Sequence, residues 1–207
     1  MIHRAVIFDL GGVVLGSPLH AIAAYERELG IAEGFVNRRV AESGAQGAWA
    51  RLERGELEME RFFREFESEC ATAGAAIDAR EMFERMSEAT LPRPEMIEAI
   101  RRIRGSGLRA AALTNNWVSE GEPARELAPL FDVFIESSVV GLRKPDPRIY
   151  RLACERLGVE PPEAAFLDDI GSNLKAARAL GMATIKVVDP GQALRELERL
   201  LGLRLLG

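Results

Sequence analysis

The stretch that decides the fold is Val6-Ile7-Phe8-Asp9-Leu10-Gly11-Gly12-Val13-Val14. Its first apolar residues predict a buried β-strand, and Asp9 follows them where that strand reaches the edge of its sheet. A buried carboxylate is costly unless it is paired, binds a metal or takes part in catalysis. Gly11 and Gly12 permit a tight turn in which backbone amides can approach a ligand closely. We therefore expect other polar residues of the chain to converge on Asp9.

The composition is that of an ordinary globular protein. Of 207 residues, 47% are hydrophobic and 29% are charged, which suits either one large domain or a core domain with a smaller inserted one. The net charge of −5 and the absence of a long basic run argue against a nucleic-acid partner. No apolar stretch is long enough to span a bilayer. Because the N terminus runs directly into the strand pattern, we expect no targeting segment, no membrane partner and a cytoplasmic location.

The two cysteines, Cys70 and Cys154, lie far apart within helix-like segments. Their spacing matches neither a metal site nor a redox pair, so we expect both thiols to lie in the core. Unpaired thiols of this kind are typical of a protein in the reducing cytoplasm.

Residues between about 16 and 90 show helical periodicity and no strand pattern. A first helix is predicted over 18–29, where Gly30 ends it. The strongest apolar stripe, with spacing i, i+3, i+4 and i+7, consists of Met59, Phe62, Phe63 and Phe66. Further helices are predicted around residues 35–40, 49–52 and 79–86. We expect a helical bundle whose aromatic side chains form its core.

After Leu91-Pro92-Arg93-Pro94 the pattern changes to alternating helices and strands. The predicted strands cover 108–113, 131–136, 164–167 and 183–188, and the predicted helices lie around 96–103, 147–157, 174–180 and 194–200. This alternation predicts an α/β fold with a doubly wound parallel sheet. We expect a core domain of residues 1–15 and 91–207, with an all-helical unit of residues 16–90 inserted after the first strand.

Polar residues that can carry chemistry collect where the predicted strands end, and one lies in a loop just before a helix. They are Asp9, Thr114, Asn115, Asn116, Lys144, Asp168 and Asp169. Ligands of doubly wound sheets bind beyond the carboxyl ends of the strands. Carboxylates gathered at one such edge repel one another unless a cation lies among them, and an all-oxygen site suits Mg²⁺.

This set of side chains suits phosphoryl transfer. Asp9 can attack phosphorus and form an aspartyl-phosphate. Thr114 and the backbone amides of Leu10 and Gly11 can donate hydrogen bonds to the phosphate oxygens. Lys144 can neutralise the charge of the phosphate.

The remaining site residues have a direct or an indirect part in metal or phosphate binding. Asp169 is expected to bind Mg²⁺ directly, whereas Asp168 either shares the ion or orients a water on it. Asn173 either supports Asp169 or caps the following helix. One of Asn115 and Asn116 is expected to contact the phosphate, with a left-handed turn as the alternative explanation for the pair.

The order Asp9, Thr114, Lys144, Asp168-Asp169 resembles the four motifs of the haloacid dehalogenase (HAD) superfamily, over essentially the whole chain. One branch is especially similar in residues 113–117, 134–138, 144–150 and 166–175. It includes the N-terminal phosphatase domain of soluble epoxide hydrolase and the HAD domain fused to some acyl-CoA dehydrogenases. The resemblance implies a HAD-like Rossmannoid core with a helical cap, which we expect to open and close by a hinge near Gly16 and Leu91-Pro92.

The resemblance also implies a reaction and a metal site. The reaction is Mg²⁺-dependent hydrolysis of a small phosphorylated molecule through an aspartyl-phosphate on Asp9. The metal ligands would be Asp9, the carbonyl of Gly11 and Asp169, with Asp168 and Asn173 in supporting positions. The sequence indicates neither the identity of the substrate nor the oligomeric state.

One departure from the superfamily pattern is Gly11. Phosphatases of the superfamily usually carry a second Asp there, two residues after the nucleophile, as the general acid for the leaving group. Its loss typically costs about 10²–10⁴-fold in rate. Gly11 therefore predicts leaving groups that need little protonation, or an acid supplied by the cap or the substrate.

Gly11 also keeps two other functions open. One is a metal-independent dehalogenation of 2-haloacids, in which Asp9 forms an ester. The pair Asp168-Asp169 speaks against it, because that reaction needs no metal site. The other is a phosphate-binding or partner-binding module with little turnover.

Overall fold

A computed structural model describes residues 3–117 and 126–206. Its strands form one five-stranded sheet in the order β3-β2-β1-β4-β5, and every neighbouring pair is parallel. The strands are β1 (Ala5–Phe8), β2 (Arg109–Thr114), β3 (Val133–Glu136), β4 (Ala164–Asp168) and β5 (Ala183–Lys186). The predicted parallel α/β sheet is confirmed.

The α-helices of the described part are α1 (Pro18–Glu28), α2 (Phe35–Ser43), α3 (Ala48–Glu53), α4 (Met59–Thr72), α5 (Ala79–Ala89), α6 (Pro94–Gly105), α7 (Ser137–Val140), α8 (Pro147–Leu157), α9 (Gly171–Ala179) and α10 (Pro190–Leu201).

Alternate residues of the buried strand β1 face opposite sides of the sheet. Val6 and Phe8 pack in a core with α6 and α10, whereas Ala5 and Ile7 pack in a second core with α8 and α9. Helices therefore cover both faces, as expected for strands that are apolar throughout.

Helices α1–α5 have a hydrophobic core of their own. Trp49 lies at its centre, with ring centroids 5.8 Å from Phe62, 5.4 Å from Phe66 and 5.4 Å from Phe83. The aromatic stripe predicted from the sequence is thus the core of a helical layer. The division into a core domain and an inserted domain stays a prediction.

The chain enters and leaves this helical layer at adjacent points. Leu15 and Pro92 pair as an isolated antiparallel bridge. The backbone N–H of Gly16 donates to the carbonyl of Leu91 at 2.8 Å, and that of Arg93 donates to the carbonyl of Val14 at 2.9 Å. The two predicted hinge segments therefore lie side by side.

Several boundaries differ from those predicted from the sequence. The helix predicted from residue 174 begins at Gly171, because Asp168 accepts the N–H of Ile170 through Oδ1 at 2.7 Å and turns the chain directly into α9. Ile170 is therefore the N-cap of this helix, and neither Asp168 nor Asp169 holds that position. Strand β3 begins at Val133 rather than residue 131, and β5 ends at Lys186 rather than residue 188.

Both cysteines are free and buried, as predicted. Burial raises the pKa of the Cys70 thiol to about 12 and that of Cys154 to about 11, so neither is a ready nucleophile. Among residues 3–117 and 126–206, no helix has both the length and the apolar composition that are needed to cross a membrane.

Candidate active site

The order of the strands brings the predicted site residues to one edge of the sheet. The chain passes from the central β1 to β2 and β3 on one side, and then to β4 and β5 on the other. Such a reversal of strand order opens a crevice at the carboxyl ends of the strands. Asp9 directly follows β1, Thr114 ends β2 and Asp168 ends β4.

Lys144 is the cation of this edge. Its side chain is 1% exposed, and its Nζ lies 2.7 Å from Asp9 Oδ1 and 2.8 Å from Asp168 Oδ2. Burial alone would lower the pKa of Lys144, but the charges of Asp168 and Asp9 outweigh it and leave this pKa raised. The ammonium therefore stays charged and joins the ends of β1 and β4.

Three carboxylates crowd around this ammonium. Asp9, Asp168 and Asp169 each offer an oxygen within 4.8 Å of the others. Burial raises the pKa of Asp9 well above its usual range, although Lys144 opposes this. Burial, with the charge of Asp168, raises the pKa of Asp169 to about 6. Three acids with one lysine leave negative charge unbalanced, and their oxygens are the donor set that Mg²⁺ prefers, so the residues fit this ion.

Asp168 is fully engaged by protein donors. Its Oδ2 accepts from Lys144, and its Oδ1 accepts the N–H of Ile170 at 2.7 Å. The side-chain amide of Asn173 lies 3.2 Å from Oδ1 and 3.1 Å from Oδ2. Asn173 therefore contacts Asp168, and not Asp169 as one of the two sequence-based alternatives had it. These contacts suit an indirect role for Asp168.

The two oxygens of Asp9 have different surroundings. Oδ1 accepts the N–H of Leu10 at 2.7 Å and contacts Lys144. The hydrogen bond from Leu10 and the shortest contact of Lys144 thus both fall on Oδ1. Asp9 itself is only 6% exposed and lines the cavity described below. The side chain is therefore held through one oxygen while the other is available to a ligand.

The two glycines that follow Leu10, Gly11 and Gly12, differ in whether a residue with a side chain could replace them. Gly12 has a φ of 77°, and a Cβ built on it would lie 2.1 Å from Asp169 Oδ2. Gly11 has a φ of −62°, and the nearest atom to its built Cβ is Cδ of Pro18 at 3.7 Å. Only Gly12 is therefore required by the backbone and by the close approach of Asp169.

Asn115 fastens the loop that carries Lys144. Its Oδ1 accepts the backbone N–H of Lys144 at 2.8 Å, and its Nδ2 donates to the carbonyl of Lys144 at 3.0 Å. Asn116 instead donates through Nδ2 to Glu136 at 2.8 Å and accepts from the hydroxyl of Ser138 at 3.0 Å. Both side-chain amides brace loops of the site, and the phosphate contact assigned to this pair stays a prediction.

A cavity of about 830 Å³ lies between the edge of the sheet and the helical layer. Its polar end includes nine of the predicted site residues, namely Asp9, Leu10, Gly11, Thr114, Asn115, Asn116, Lys144, Asp169 and Asn173. Asp168 does not line it and is fully buried. The geometry thus gathers the predicted set in one place, with Asp168 behind it.

The rest of the cavity is largely apolar. Its lining includes Ile22, Val40, Trp49, Met59, Phe63, Phe83, Met86 and Trp117. Trp117 follows the Thr114 loop, and its ring lies 4.7 Å from that of Phe83 and 6.4 Å from that of Trp49, so it packs against the helical layer. It also forms part of the cavity wall.

Four charged residues that line the cavity escaped the sequence analysis, namely Glu53, Arg80, Glu84 and Arg143. Glu53, at the end of α3, is 6% exposed and forms an ion pair with Arg143. Burial raises the pKa of Glu53, and Arg143 opposes this rise. The position of Arg143 beside Lys144 was the one available hint, since nothing in the pattern of α3 distinguishes Glu53 from a solvent-exposed glutamate.

The family model for haloacid dehalogenase-like hydrolases matches residues 3–181. The chain belongs to this family. The HAD assignment made from the order of the motifs is thereby confirmed, together with the fold that it implies.

Curated relatives include both proteins of the predicted branch. The chain is 42% identical to mouse acyl-CoA dehydrogenase family member 10 over 97% of its own length and 19% of that relative. It is 38% identical to pig bifunctional epoxide hydrolase 2 over 98% of its length and 40% of that relative. The chain thus spans well under half of these two proteins. A sesquiterpene phosphatase of Aspergillus oryzae is 27% identical, with 96% of the chain and 97% of the relative covered.

Solved structures share the fold. A HAD-like family hydrolase from Porphyromonas gingivalis superposes with a TM-score of 0.72 at 22% identity, covering 99% of this chain and 100% of the other. A HAD family enzyme from Bacteroides thetaiotaomicron, in complex with magnesium and inorganic phosphate, superposes with a TM-score of 0.62 at 18% identity, over 90% and 96% of the two chains.

Proposed function

We propose that this HAD hydrolase is a Mg²⁺-dependent phosphomonoesterase that works through an aspartyl-phosphate on Asp9. The observation that carries the proposal is the contact of Lys144 Nζ with both Asp9 and Asp168, beside the third carboxylate of Asp169. A site with one lysine and three acids attracts a divalent cation and, through that cation and the lysine, a phosphate dianion. The sesquiterpene phosphatase and the magnesium-phosphate complex among the similar proteins support the same reaction class.

Each side chain then has a part in the reaction. Asp9 attacks phosphorus through Oδ2, while Leu10 and Lys144 hold Oδ1. Thr114 and the backbone N–H of Gly11 donate to the equatorial oxygens of the phosphate, and Lys144 neutralises their charge. The N–H of Leu10 is already engaged by Asp9 Oδ1. Asp9, Asp169 and the carbonyl of Gly11 would hold Mg²⁺, which polarises the phosphate when bound. Asp168 and Asn173 keep Lys144 in position.

The cavity favours a substrate with an apolar organic group. Beyond its polar end the walls are mostly aromatic and aliphatic, although Arg80 and Glu84 also line them. The volume of about 830 Å³ exceeds what a phosphate alone needs. Burying an apolar group against such walls stabilises the complex by roughly 25 cal/mol per Å². We therefore expect apolar phosphomonoesters to bind better than sugar phosphates, in keeping with the name of the fungal relative.

Gly11 limits which leaving groups depart quickly. No acid is present at this position, so the rate should fall steeply from aryl to alkyl phosphates, whose leaving groups need a proton. Gly11→Asp tests this directly, because its backbone conformation suits an ordinary residue and a Cβ meets nothing closer than 3.7 Å. We expect Gly11→Asp to raise turnover of alkyl phosphates more than that of aryl phosphates. An equal or absent rise would show that protonation of the leaving group does not limit the enzyme.

The decisive experiment compares hydrolysis of p-nitrophenyl phosphate and an isoprenoid monophosphate with Mg²⁺ and with EDTA. Asp9→Asn should abolish turnover and the acid-stable phosphoenzyme, and it should prevent Mg²⁺-dependent binding of fluoroberyllate. Asp189→Asn is the matched control, since Asp189 caps α10 away from the site and asparagine caps a helix equally well. Substantial turnover by Asp9→Asn, or wild-type turnover that persists in EDTA, would contradict the proposal.

Two other outcomes correspond to the alternatives left open by Gly11. Release of halide from a 2-haloacid in EDTA would identify a dehalogenase. Binding of fluoroberyllate without turnover of any activated phosphate ester would identify a binding module.

A further inference from the structure

We propose that Glu53 is a positioning residue through which the helical layer fixes the loop of Lys144. This inference rests on the proposed phosphatase function, since positioning has meaning only for a reaction at Asp9. Glu53 comes from α3, whereas its partners Asn115 and Arg143 come from two loops at the edge of the sheet. It is therefore a direct polar contact between the helical layer and the site.

Among residues 3–117 and 126–206, the hydrogen bonds and the ion pair of Glu53 are all with donors. Its Oε1 accepts from the indole N–H of Trp49 at 3.1 Å, and its Oε2 accepts from Asn115 Nδ2 at 3.3 Å and from Arg143 Nε. A carboxylate with three such donors acts as an acceptor, so it is a poor replacement for the general acid that Gly11 lacks. Its function is to hold the groups that donate to it.

Two of these donors, Asn115 and Arg143, connect Glu53 to Lys144. Asn115 binds both the N–H and the carbonyl of Lys144, and Arg143 precedes Lys144 in the chain. Glu53 therefore restrains the loop directly at Arg143 and, through Asn115, at Lys144 itself. The Nζ of Lys144 must stay within hydrogen-bond distance of Asp9 and Asp168. Because misplacing a reacting group by about 1 Å can cost about 10²-fold in rate, a small shift of this loop is consequential.

A close approach of two backbones determines where Glu53 lies. Gly55, two residues further on, has a φ of 71°, and a Cβ built on it would lie 2.4 Å from the carbonyl oxygen of Ser138 in α7. The end of α3 is thus seated against α7 without a side chain between them. This contact is non-covalent, in contrast to the connections at Leu15 and Pro92, so it can form and break as the helical layer moves.

The kinetic test uses Glu53→Ala and Glu53→Gln with p-nitrophenyl phosphate and saturating Mg²⁺. We expect Glu53→Ala to lower kcat by about 10–100-fold with KM changed by less than about threefold, because the loop is misplaced while phosphate still binds. Glu53→Gln, which keeps an acceptor for Asn115, should recover part of the loss. The matched control is Glu56→Gln, because Glu56 is exposed and pairs only with Arg54 among the described residues.

Tryptophan fluorescence tests the contact without any turnover. The two tryptophans of the chain lie 6.4 Å apart, one in the helical layer and one after β2. In a Trp117→Phe background, Glu53→Ala should raise acrylamide quenching of Trp49 several-fold, and Gly55→Ala should do the same while Glu53 is intact. Glu56→Gln should leave quenching unchanged.

These measurements distinguish a failure of the phosphatase proposal from a failure of the proposed positioning role of Glu53. If wild-type protein hydrolyses no phosphate ester, the phosphatase proposal fails, whereas quenching still reports whether Glu53 closes the contact. A kcat for Glu53→Ala within twofold of wild type would overturn the positioning role, even if quenching changes. If Glu53→Ala does not fold, the isosteric Glu53→Gln carries the test, and a kcat equal to that of Glu56→Gln would overturn it.

Discussion

Adjacent glycines of the site should respond in opposite directions to substitution by alanine. Gly11 has a backbone conformation that alanine adopts readily, with only Pro18 near its built Cβ. Gly12 has a φ of 77°, and its built Cβ would lie 2.1 Å from Oδ2 and 2.6 Å from Cγ of Asp169. The difference between the two variants therefore measures what the turn after Asp9 requires of its backbone.

The magnitudes follow from these conformations. Gly11→Ala should raise the free energy of unfolding by about 0.4–1 kcal/mol, because alanine restricts the unfolded chain without strain in the folded one. Gly12→Ala should lower it by about 1–2 kcal/mol for the left-handed conformation and by a further 1–3 kcal/mol or so for the displacement of Asp169. The two variants should thus differ by about 2–6 kcal/mol.

Guanidinium unfolding in EDTA measures this difference, and repeating it with Mg²⁺ tests the site. Mg²⁺ should stabilise Gly11→Ala as much as wild type, and Gly12→Ala less, because Asp169 is displaced. A Gly12→Ala variant within about 0.5 kcal/mol of wild type would refute the reasoning. So would a Gly11→Ala variant that is destabilised as strongly as Gly12→Ala.

Three further predictions concern the charges of the site and the core of the helical layer. In EDTA at pH 7, Lys144→Met should lower the free energy of unfolding by about 3–5 kcal/mol, because two buried carboxylates lose their shared cation. The control is Lys175→Met, at an exposed position of α9, which should change this free energy by less than about 0.5 kcal/mol. Burial raises the pKa of Asp169 to about 6, so between pH 4 and 6 the folded metal-free protein holds a proton that the unfolded chain has released. Its free energy of unfolding should therefore fall as the pH rises through this range, by on the order of 3 kcal/mol, and added Mg²⁺ should suppress the fall. Melting temperatures at pH 4.5 and 7, with and without Mg²⁺, check this prediction. A fall of equal size in the presence of Mg²⁺ would contradict it. Phe62→Ala should cost about 3–5 kcal/mol, because its ring is fully buried within 5.8 Å of Trp49; chemical unfolding measures the loss, and a red shift of tryptophan emission should accompany it.

Local patterns in the sequence were sufficient for the architecture. Apolar runs with flanking turn residues predicted the parallel sheet, and the i, i+3, i+4, i+7 stripe predicted the helical layer, because both depend on the periodicity of side chains along one element. The helix at Pro147–Leu157 matches its prediction at both ends, since Asp146 caps it and Gly158 ends it. The helix after Asp168 was predicted to start too late, because its first turn contains Gly171 and Ser172 and no apolar stripe.

The candidate site was predicted for a similar reason. In a parallel sheet every strand ends at the same edge, so polar residues at strand ends must meet there once the topology is known. This is how Asp9, Thr114 and Asp168 are brought together although they are distant in sequence.

Only the tertiary structure decided how the helical layer meets that edge. The sequence alone determined which residues gather around Asp9, because strand ends and turns are local features. It did not show that the backbone requires Gly12 and not Gly11, since this depends on the positive φ of Gly12 and on the approach of Asp169 from the end of another strand. Nor did it single out Glu53, whose burial arises when α3 seats against a loop of the sheet. Contacts of this kind depend on how whole helices and strands pack, and this packing produces no periodic pattern of residues in the sequence.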